Sequence, residues 1–169
     1  MSVTVTYLEM RRADELLPKH SADGAFQIAE ARVKQWQVNK FFYGFVGGPW
    51  SWLEKSDWSD EQWRFYADDN RLRTWIASYE GSPAGYFELK WDDEDGVEIN
   101  YMGLSRAFIG RGLGGPLLTA ALTAAWDASP RRVWVHTCTL DHPASLNNYL
   151  ARGMKIYQTK LEKDPGRKV

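Results

Sequence analysis

The chain has 169 residues, 44% of them hydrophobic and 25% charged, a balance typical of one soluble globular domain and unlike that of disordered or membrane proteins. Its net charge of −1 argues against a dedicated nucleic-acid binder, and a single cysteine with three scattered histidines excludes an internal disulfide and a zinc framework. A lone thiol and the lack of a signal-peptide pattern lead us to expect a cytoplasmic protein without a metal ion.

The first half of the chain predicts one strand and two helices separated by an aromatic loop. Residues 4–7 alternate in the manner of a strand. Residues 25–38 carry apolar side chains at three- and four-residue spacing, which predicts a helix. Residues 41–52 mix aromatic side chains with glycine and proline, which predicts a loop. Ser59 and Gln62 have the spacing of a capping box, so a second helix should begin there.

From residue 73 onward the hydrophobic pattern takes the period of strands. Residues 74–79, 84–91 and 97–105 predict a three-stranded antiparallel meander. The elements expected after it are a glycine-rich segment at 110–115, a helix to about 128, a strand at 132–138, a helix at 143–152 and a strand at 154–161. This order predicts a mixed α/β fold in a single domain over residues 1–169.

The strongest motif is the run from Ile109 to Pro116, which follows a strand and precedes a helix. Pro116 has no amide hydrogen, so it belongs in the first helical turn, and the glycines before it form the helix entrance. Unpaired backbone N–H groups and the helix dipole favour a phosphate there, and Arg111 could add a charged contact. A purely structural tight turn fits the glycines equally well. The run lacks the Gly-Lys-Ser/Thr of a Walker A loop and the further βα units of a dinucleotide-binding domain.

Three segments together indicate a family. They are Glu-Ile-Asn-Tyr-Met-Gly-Leu-Ser at 98–105, Ile-Gly-Arg-Gly-Leu-Gly at 109–114 and Tyr-Leu-Ala-Arg-Gly-Met at 149–154. In this combination the chain resembles the GNAT superfamily of acetyl-CoA-dependent N-acetyltransferases over about residues 74–158. The resemblance implies a mostly antiparallel central sheet flanked by helices, with an acceptor-side half at 1–73 and an acetyl-CoA-binding half at 74–161.

The chain departs from the family pattern at several positions. Ile109 stands where the family has Gln or Arg, Met154 stands where it has Phe, and His142 stands where an Asn often lies near the pantetheine arm. Only eight residues follow Leu161, too few for the family's usual seventh strand. We therefore expect the last sheet edge to be open or completed by a partner, which favours a homodimer.

The resemblance also implies roles for single residues. Glu98 matches the general-base glutamate of several members, whereas other members use a water chain, and Tyr149 matches the tyrosine that protonates the departing thiolate. Backbone groups of Met102, Gly103 and Leu104 would bind pantetheine and polarise the thioester carbonyl. The remaining acetyl-CoA contacts would come from Ile109, Gly110, Arg111, Gly112, Leu113, Gly114, Gly115 and His142.

The residues themselves permit other interpretations of these positions. Glu98 also fits a solvated extension of the acidic turn before it, and Tyr149 also fits a core tyrosine. Strand alternation places Glu98 on one face with Asn100 and Met102, and Gly103 fits a bulge. We interpret Cys138 as a buried, inert thiol and the nearby His136 as structural or surface-exposed.

Seven of the nine tryptophans lie between Trp36 and Trp91, mostly in the segment that this superfamily uses for its acceptor. Aromatic faces mixed with carboxylates suit a cationic amine, although tryptophans are also common core residues. The resemblance thus implies acetyl transfer from acetyl-CoA to a small-molecule or peptide amine in a ternary complex, without nucleic-acid or membrane partners. The alternatives are a non-catalytic acyl-CoA-binding module and an interaction protein of the same fold.

Overall fold

The computed structural model describes residues 2–163, which form seven strands and four α-helices. In chain order these elements are β1 (Ser2–Met10), β2 (Phe26–Glu30), α1 (Trp36–Gly47), α2 (Asp60–Asp68), β3 (Leu72–Tyr79), β4 (Ser82–Asp92), β5 (Gly96–Leu104), α3 (Gly114–Trp126), β6 (Val133–Cys138), α4 (Ser145–Ala151) and β7 (Lys155–Lys163). All strands join one sheet in the order β2-β3-β4-β5-β6-β1-β7. No helix among residues 2–163 has the length and apolar character needed to span a membrane.

The two faces of the sheet are covered by different helices. Tyr86 and Phe87 are neighbours on β4 and therefore point to opposite faces. Phe87 belongs to the main core with the buried leucines of α3, whereas Tyr86 packs with Phe42 and Val46 of α1. The main core also contains Leu113, Leu117, Ala121, Leu122 and Ala125, which lie at the start of α3 and along one of its faces. Burial of each of these leucines contributes roughly 1.5–3 kcal/mol to the free energy of unfolding.

The only parallel pairing within the described sheet joins β5 to β6, and it is short. Val97 pairs with Val133 and Glu98 pairs with Trp134, whereas the other neighbouring strands pair antiparallel over five or more residues. Beyond Glu98 the two strands separate and stop exchanging backbone hydrogen bonds. This separation opens the middle of the sheet between the end of β5 and the end of β6.

The expected helix over 25–38 is wrong except for residues 36–38, and the expected loop over 41–52 is wrong for residues 41–47. Residues Phe26–Glu30 form β2, which pairs with β3, and Trp36–Gly47 form α1. In β2 the alternate residues Phe26, Ile28 and Glu30 are partly buried and Ala29 is exposed, so the burial follows the period of a strand and not the helical spacing. Gly47 is tolerated in α1 because the Trp52 ring packs on it, where a Cβ would lie 2.0 Å from Trp52 Cε3. The glycine reflects a close approach between side chain and backbone rather than a loop.

Other expectations agree with the structure. Ser59 caps α2 through its hydroxyl, which accepts a hydrogen bond from the Gln62 backbone N–H at 3.3 Å, while Gln62 Oε1 accepts one from the Ser59 N–H at 2.9 Å. The three-stranded meander is present as β3, β4 and β5.

The expectation of a missing seventh strand is wrong, because β2 brings the sheet to seven strands and β1 lies between β6 and β7. Within residues 2–163, β7 pairs only with β1 and exposes Ile156, Tyr157 and Leu161. The homodimer stays a prediction.

Candidate active site

A cavity of about 820 Å³ lies where β5 and β6 separate. One side is formed by the glycine-rich turn and the start of α3, and another by the end of β5 from Asn100 to Leu104. The ends of β6 and α4 contribute Val135, His136, Cys138 and Tyr149, and the segment after α1 contributes Trp50, Trp52, Glu54 and Lys55. The cavity therefore joins the two halves that the sequence distinguished.

The glycine-rich turn adopts a backbone conformation that explains its composition. Gly110 and Gly112 have φ values of +80° and +76°, in the left-handed region that favours glycine. A Cβ at either position would meet no atom within 4 Å, so the turn presents bare backbone to open space. Pro116 is the third residue of α3, in its first turn as predicted. The turn can thus receive an anionic ligand at the helix entrance without steric obstruction.

Most of the predicted loop contacts line the cavity, but Arg111 does not. The lining set includes Ile109, Gly110, Gly112, Leu113, Gly114 and Gly115. The Arg111 guanidinium instead lies over two rings, with its Cζ 4.3 Å from the Tyr79 centroid and 5.1 Å from the Phe108 centroid.

The cations beside α3 come from two residues that the sequence did not indicate. A Cβ at Gly115 would lie 2.5 Å from Arg152 Nη1 and 2.6 Å from Lys19 Cδ, and both side chains line the cavity. The Lys19 backbone N–H also donates a hydrogen bond to Thr119 Oγ1 at 2.9 Å, which fixes this segment against α3. Lys19 and Arg152 are far from the turn in sequence, so no local motif could have identified them.

A bulge in β5 changes which side chains share a face. Glu88 of β4 pairs with Tyr101, but Leu89 pairs with Ile99, so Asn100 is an extra residue. Tyr101 therefore shares the α1 face with Glu88, and Met102 packs against the core on the α3 face. The predicted placement of Met102 on one face with Glu98 and Asn100 is wrong.

The bulge lies at Asn100 rather than at Gly103, which pairs regularly with Tyr86. Gly103 instead allows α1 to approach, since a Cβ there would lie 2.6 Å from Val46 Cγ1. Met102, Gly103 and Leu104 all line the cavity.

Glu98 lies at the point where β5 and β6 separate and contacts a histidine. Its Oε1 is 3.5 Å from Nδ1 of His136, whose ring lines the cavity. The hydrogen bond to Glu98 raises the pKa of His136 above its usual value, while burial opposes this rise. His136 is thus a second titratable group at this position, although its sequence context indicated only a structural residue.

The structure explains the four-residue spacing between Tyr149 and Gly153 in the run at 149–154. Tyr149 is 6% exposed, lines the cavity and has a raised pKa because of burial. Gly153 ends this turn with a φ of +97°, and a Cβ there would lie 2.1 Å from the backbone oxygen of Glu15. The glycine therefore holds α4 against the segment after β1, which sets the position of Tyr149.

His142 and Cys138 also line the cavity. The Nδ1 atom of His142 accepts a hydrogen bond from the Ala144 N–H at 3.1 Å, and its ring meets the Trp50 ring edge-on at 4.9 Å. Cys138 is only partly buried, contrary to the prediction of a buried thiol, but this partial burial still raises the pKa of the thiol and disfavours the reactive thiolate. Among residues 2–163 no group of three or more His, Cys, Asp or Glu side chains could hold a metal ion.

A buried carboxylate lies beneath the acceptor side. Glu88 is 1% exposed and accepts hydrogen bonds from Asn39 Nδ2 at 2.7 Å and from the Tyr66 hydroxyl. The Tyr66 hydroxyl in turn accepts one from Asn100 Nδ2 at 2.6 Å. Burial raises the pKa of Glu88 even though these donors oppose the rise. The network ties α1, α2, β4 and the β5 bulge together.

Comparison with known proteins assigns the family. A model of the acetyltransferase (GNAT) family matches residues 30–154, which is most of the chain. The chain belongs to the GNAT acetyltransferase family. No match was found among curated proteins.

Solved structures share the GNAT fold at low sequence identity. The GCN5-related N-acetyltransferase from Sphaerobacter thermophilus superposes with a TM-score of 0.73 at 14% identity, covering 99% of this chain and 54% of that one. An aminoglycoside acetyltransferase from an uncultured soil metagenomic sample gives 0.65 at 14% identity, with coverages of 78% and 90%. The IAA acetyltransferase from Bacillus cereus gives 0.57 at 21% identity, with coverages of 79% and 79%. This chain spans only 63%, 50% and 61% of the length of three further structures that it matches.

Proposed function

We propose that this GNAT-family protein transfers an acetyl group from acetyl-CoA to a primary amine of a small-molecule or peptide acceptor. The observation that carries the proposal is that the glycine turn, the separated ends of β5 and β6, and His136 all line one cavity; Glu98 contacts His136 but does not itself line the cavity. A cytoplasmic location belongs to the proposal, because the lone thiol of Cys138 fits a reducing compartment.

The donor side of the cavity suits acetyl-CoA. Its phosphates would bind the backbone of Gly110, Gly112 and Gly114 at the entrance of α3, with Lys19 and Arg152 as the nearby cations. Backbone groups at the end of β5, from Met102 to Leu104, pair with β4 but not with β6, and those on the β6 side would bind the pantetheine arm. Acetyl-CoA supplies the activated thioester, and the residues of this chain orient it and exchange protons.

The acceptor reacts by direct attack. Its amine must lose a proton, because a free alkyl amine has a pKa near 10.4 and is almost fully protonated at neutral pH. In the proposal the imidazole of His136, positioned by Glu98, takes that proton; the neutral amine nitrogen then forms a bond to the acetyl carbon, and the carbon–sulfur bond breaks. Tyr149 gives its hydroxyl proton to the departing thiolate. The nitrogen loses its second proton as the amide forms, and this proton returns to the Tyr149 oxygen. The ternary complex then holds the amide, the CoA thiol and a protonated His136, and the total charge is unchanged.

Two measurements test the proposal. Isothermal titration with acetyl-CoA should give saturable binding, and a thiol-release assay with a panel of primary amines should give turnover with at least one class. Binding without turnover for any amine would favour a non-catalytic acyl-CoA-binding module. An absence of binding would show that the glycine turn is structural and would overturn the proposal.

A further inference from the structure

The ammonium group of Lys55 lies among four aromatic rings. Its Nζ is 5.9 Å from the ring centroid of Tyr43, 4.7 Å from that of Trp58, 4.9 Å from that of Tyr66 and 4.7 Å from that of Tyr101. We call these four side chains the aromatic box. Ring-edge contacts hold them in place, with Tyr43 and Tyr101 at 5.2 Å and Trp58 and Tyr66 at 5.6 Å. Rings whose faces surround a cation attract it through their quadrupoles.

Hydroxyl groups connect the aromatic box to two carboxylates. Lys55 Nζ donates a hydrogen bond to Tyr101 Oη at 2.7 Å, and that hydroxyl donates to Glu54 Oε2 at 2.9 Å. The Tyr66 hydroxyl donates to the buried Glu88. The box therefore offers ring faces together with negative charge one hydroxyl away. These are the features that recognise an ammonium or quaternary ammonium group.

The aromatic box adjoins the candidate active site. Tyr101 is a member of the box and lines the cavity, and so does Lys55 itself. Asn100, the bulge residue of β5, also lines the cavity and donates to the Tyr66 hydroxyl. Lys55 belongs to the segment between α1 and α2. Its backbone N–H donates a hydrogen bond to Tyr43 Oη at 3.1 Å, which attaches this segment to the box. The side chain could thus leave the box while its backbone stays in place.

We propose that the aromatic box is a cation subsite for the acceptor, and that Lys55 occupies it in the free protein as a substitute for a ligand ammonium. The acceptor part of this inference rests on the proposed acetyl transfer. The reacting amine must become neutral, whereas the ring faces of the box attract a group that stays positively charged, even though burial lowers the pKa of Lys55 itself. The box therefore takes a second cationic group, and the acceptor class is a primary amine that carries a further ammonium or quaternary ammonium group.

A binding experiment tests the subsite without any transfer reaction. The Lys55→Met variant removes the internal competitor and keeps the backbone contact to Tyr43. Choline is the probe, and its uncharged isostere 3,3-dimethylbutan-1-ol is the control ligand, both titrated by tryptophan fluorescence and by NMR. While Lys55 occupies the box, choline can bind only the fraction of protein in which the box is open, so its apparent affinity is the intrinsic affinity multiplied by that fraction. We expect Lys55→Met to bind choline at least tenfold more tightly than the unmodified protein, with no gain for the isostere.

Lys40→Met is the matched control. Lys40 also lies over a tryptophan ring, 5.6 Å from the Trp36 centroid, but it pairs with Asp60 at 2.8 Å on the surface and does not line the cavity. Its substitution should leave choline binding unchanged. Adding Trp58→Leu to Lys55→Met should remove the gain in choline affinity. Equal choline binding by the unmodified protein and a folded Lys55→Met variant would overturn the proposal, and Lys55→Gln provides the same comparison if the methionine variant does not fold.

The acceptor prediction has its own measurement. In the thiol-release assay, Lys55→Met should lower KM at least tenfold for a diamine but not for a monoamine of equal length. An equal decrease in KM for the diamine and the monoamine would overturn the proposed acceptor class. Calorimetry with acetyl-CoA on the same variants separates the two proposals. If the unmodified protein does not bind acetyl-CoA, the proposed function is refuted. If it binds acetyl-CoA but Lys55→Met does not bind choline more tightly, only the cation subsite is refuted.

Discussion

The imidazole of His136 lies against the carboxylate of Glu98, with Nδ1 3.5 Å from Oε1. Their backbones lie on the two parallel strands where the pairing of these strands ends, and of the two residues only His136 lines the cavity. Neither residue could be paired with the other from the sequence, because 37 positions and a helix lie between them.

This contact predicts a pH dependence of acetyl transfer. Glu98 raises the pKa of His136 above 6.5, Glu54 and Asp141 add to the rise, and burial opposes it. A protonated imidazole cannot accept a proton, so kcat/KM should rise with pH through a limb above pH 6.5. Glu98→Gln removes the main cause of the raised pKa and should move this limb to lower pH, with a lower plateau. Superimposable pH profiles of the two proteins, measured with one acceptor, would contradict the role of the pair.

Adding one methyl group to the glycine turn should weaken the binding of acetyl-CoA. Gly112→Ala places a side chain where φ is +76° and covers backbone that the ligand phosphates would contact. We therefore expect the Kd for acetyl-CoA, measured by calorimetry, to rise at least tenfold. Gly81→Ala is a matched control, because Gly81 has a φ of +82° and equally open surroundings but lies in the hairpin between β3 and β4. Both variants should lose about 1 kcal/mol of unfolding free energy. An equal loss of affinity in both would show that the effect is general destabilisation.

Removing the Tyr149 hydroxyl should slow transfer while donor binding is retained. Tyr149→Phe keeps the ring in its buried position and deletes only the proposed proton donor. We expect kcat to fall about 100-fold with the acetyl-CoA Kd unchanged, since general acid catalysis commonly contributes 10²–10⁴. Steady-state kinetics and calorimetry give the two values. Wild-type kcat in this variant would exclude the acid role.

Tyr86→Phe should stabilise the fold. Tyr86 is fully buried and stacks on Phe42 at 5.1 Å, but its hydroxyl finds no hydrogen-bond partner among residues 2–163. A buried unsatisfied hydroxyl costs about 1–3 kcal/mol. Its removal should therefore raise the free energy of unfolding by about 1 kcal/mol in urea titrations. A decrease would mean that the hydroxyl has a partner in solution.

Glu88→Gln should change the pH dependence of stability. The folded-state pKa of Glu88 is raised, so the folded protein binds this proton more tightly than the unfolded chain does. The contribution of Glu88 to stability is then greatest below its unfolded pKa near 4.5 and falls as pH rises through the folded pKa. Glutamine does not titrate, so the stability of the variant relative to the unmodified protein should be higher at pH 8 than at pH 4. Urea unfolding at both pH values measures this difference, and an unchanged difference would contradict the raised pKa.

Much of the second half of the fold follows from local sequence. The strands β3, β4 and β5 have the expected period and turns, and the residues leading into α3 have the glycines that a left-handed entrance requires. The capping box at Ser59 also identifies the start of α2 correctly. These features depend on neighbours within a few residues, so the chain specifies them wherever it folds.

The errors lie where distant contacts decide. Residues 26–30 are a strand because β3 offers a free edge, and Gly47 and Gly103 are required by the approach of Trp52 and Val46. The bulge at Asn100 depends on register with β4, and a single extra residue moves Tyr101 to the α1 face.

The sequence by itself determined the family motifs, the α3 entrance and the concentration of tryptophans in the first half. Only the tertiary structure decided that Lys19 and Arg152 flank this entrance, that His136 meets Glu98, and that Lys55 lies among four rings. Local motifs reflect what the backbone requires at a turn, whereas these contacts form only when strands and helices that are distant in sequence pack together. Side-chain chemistry at the site is therefore set by packing, although its backbone can be recognised in the sequence.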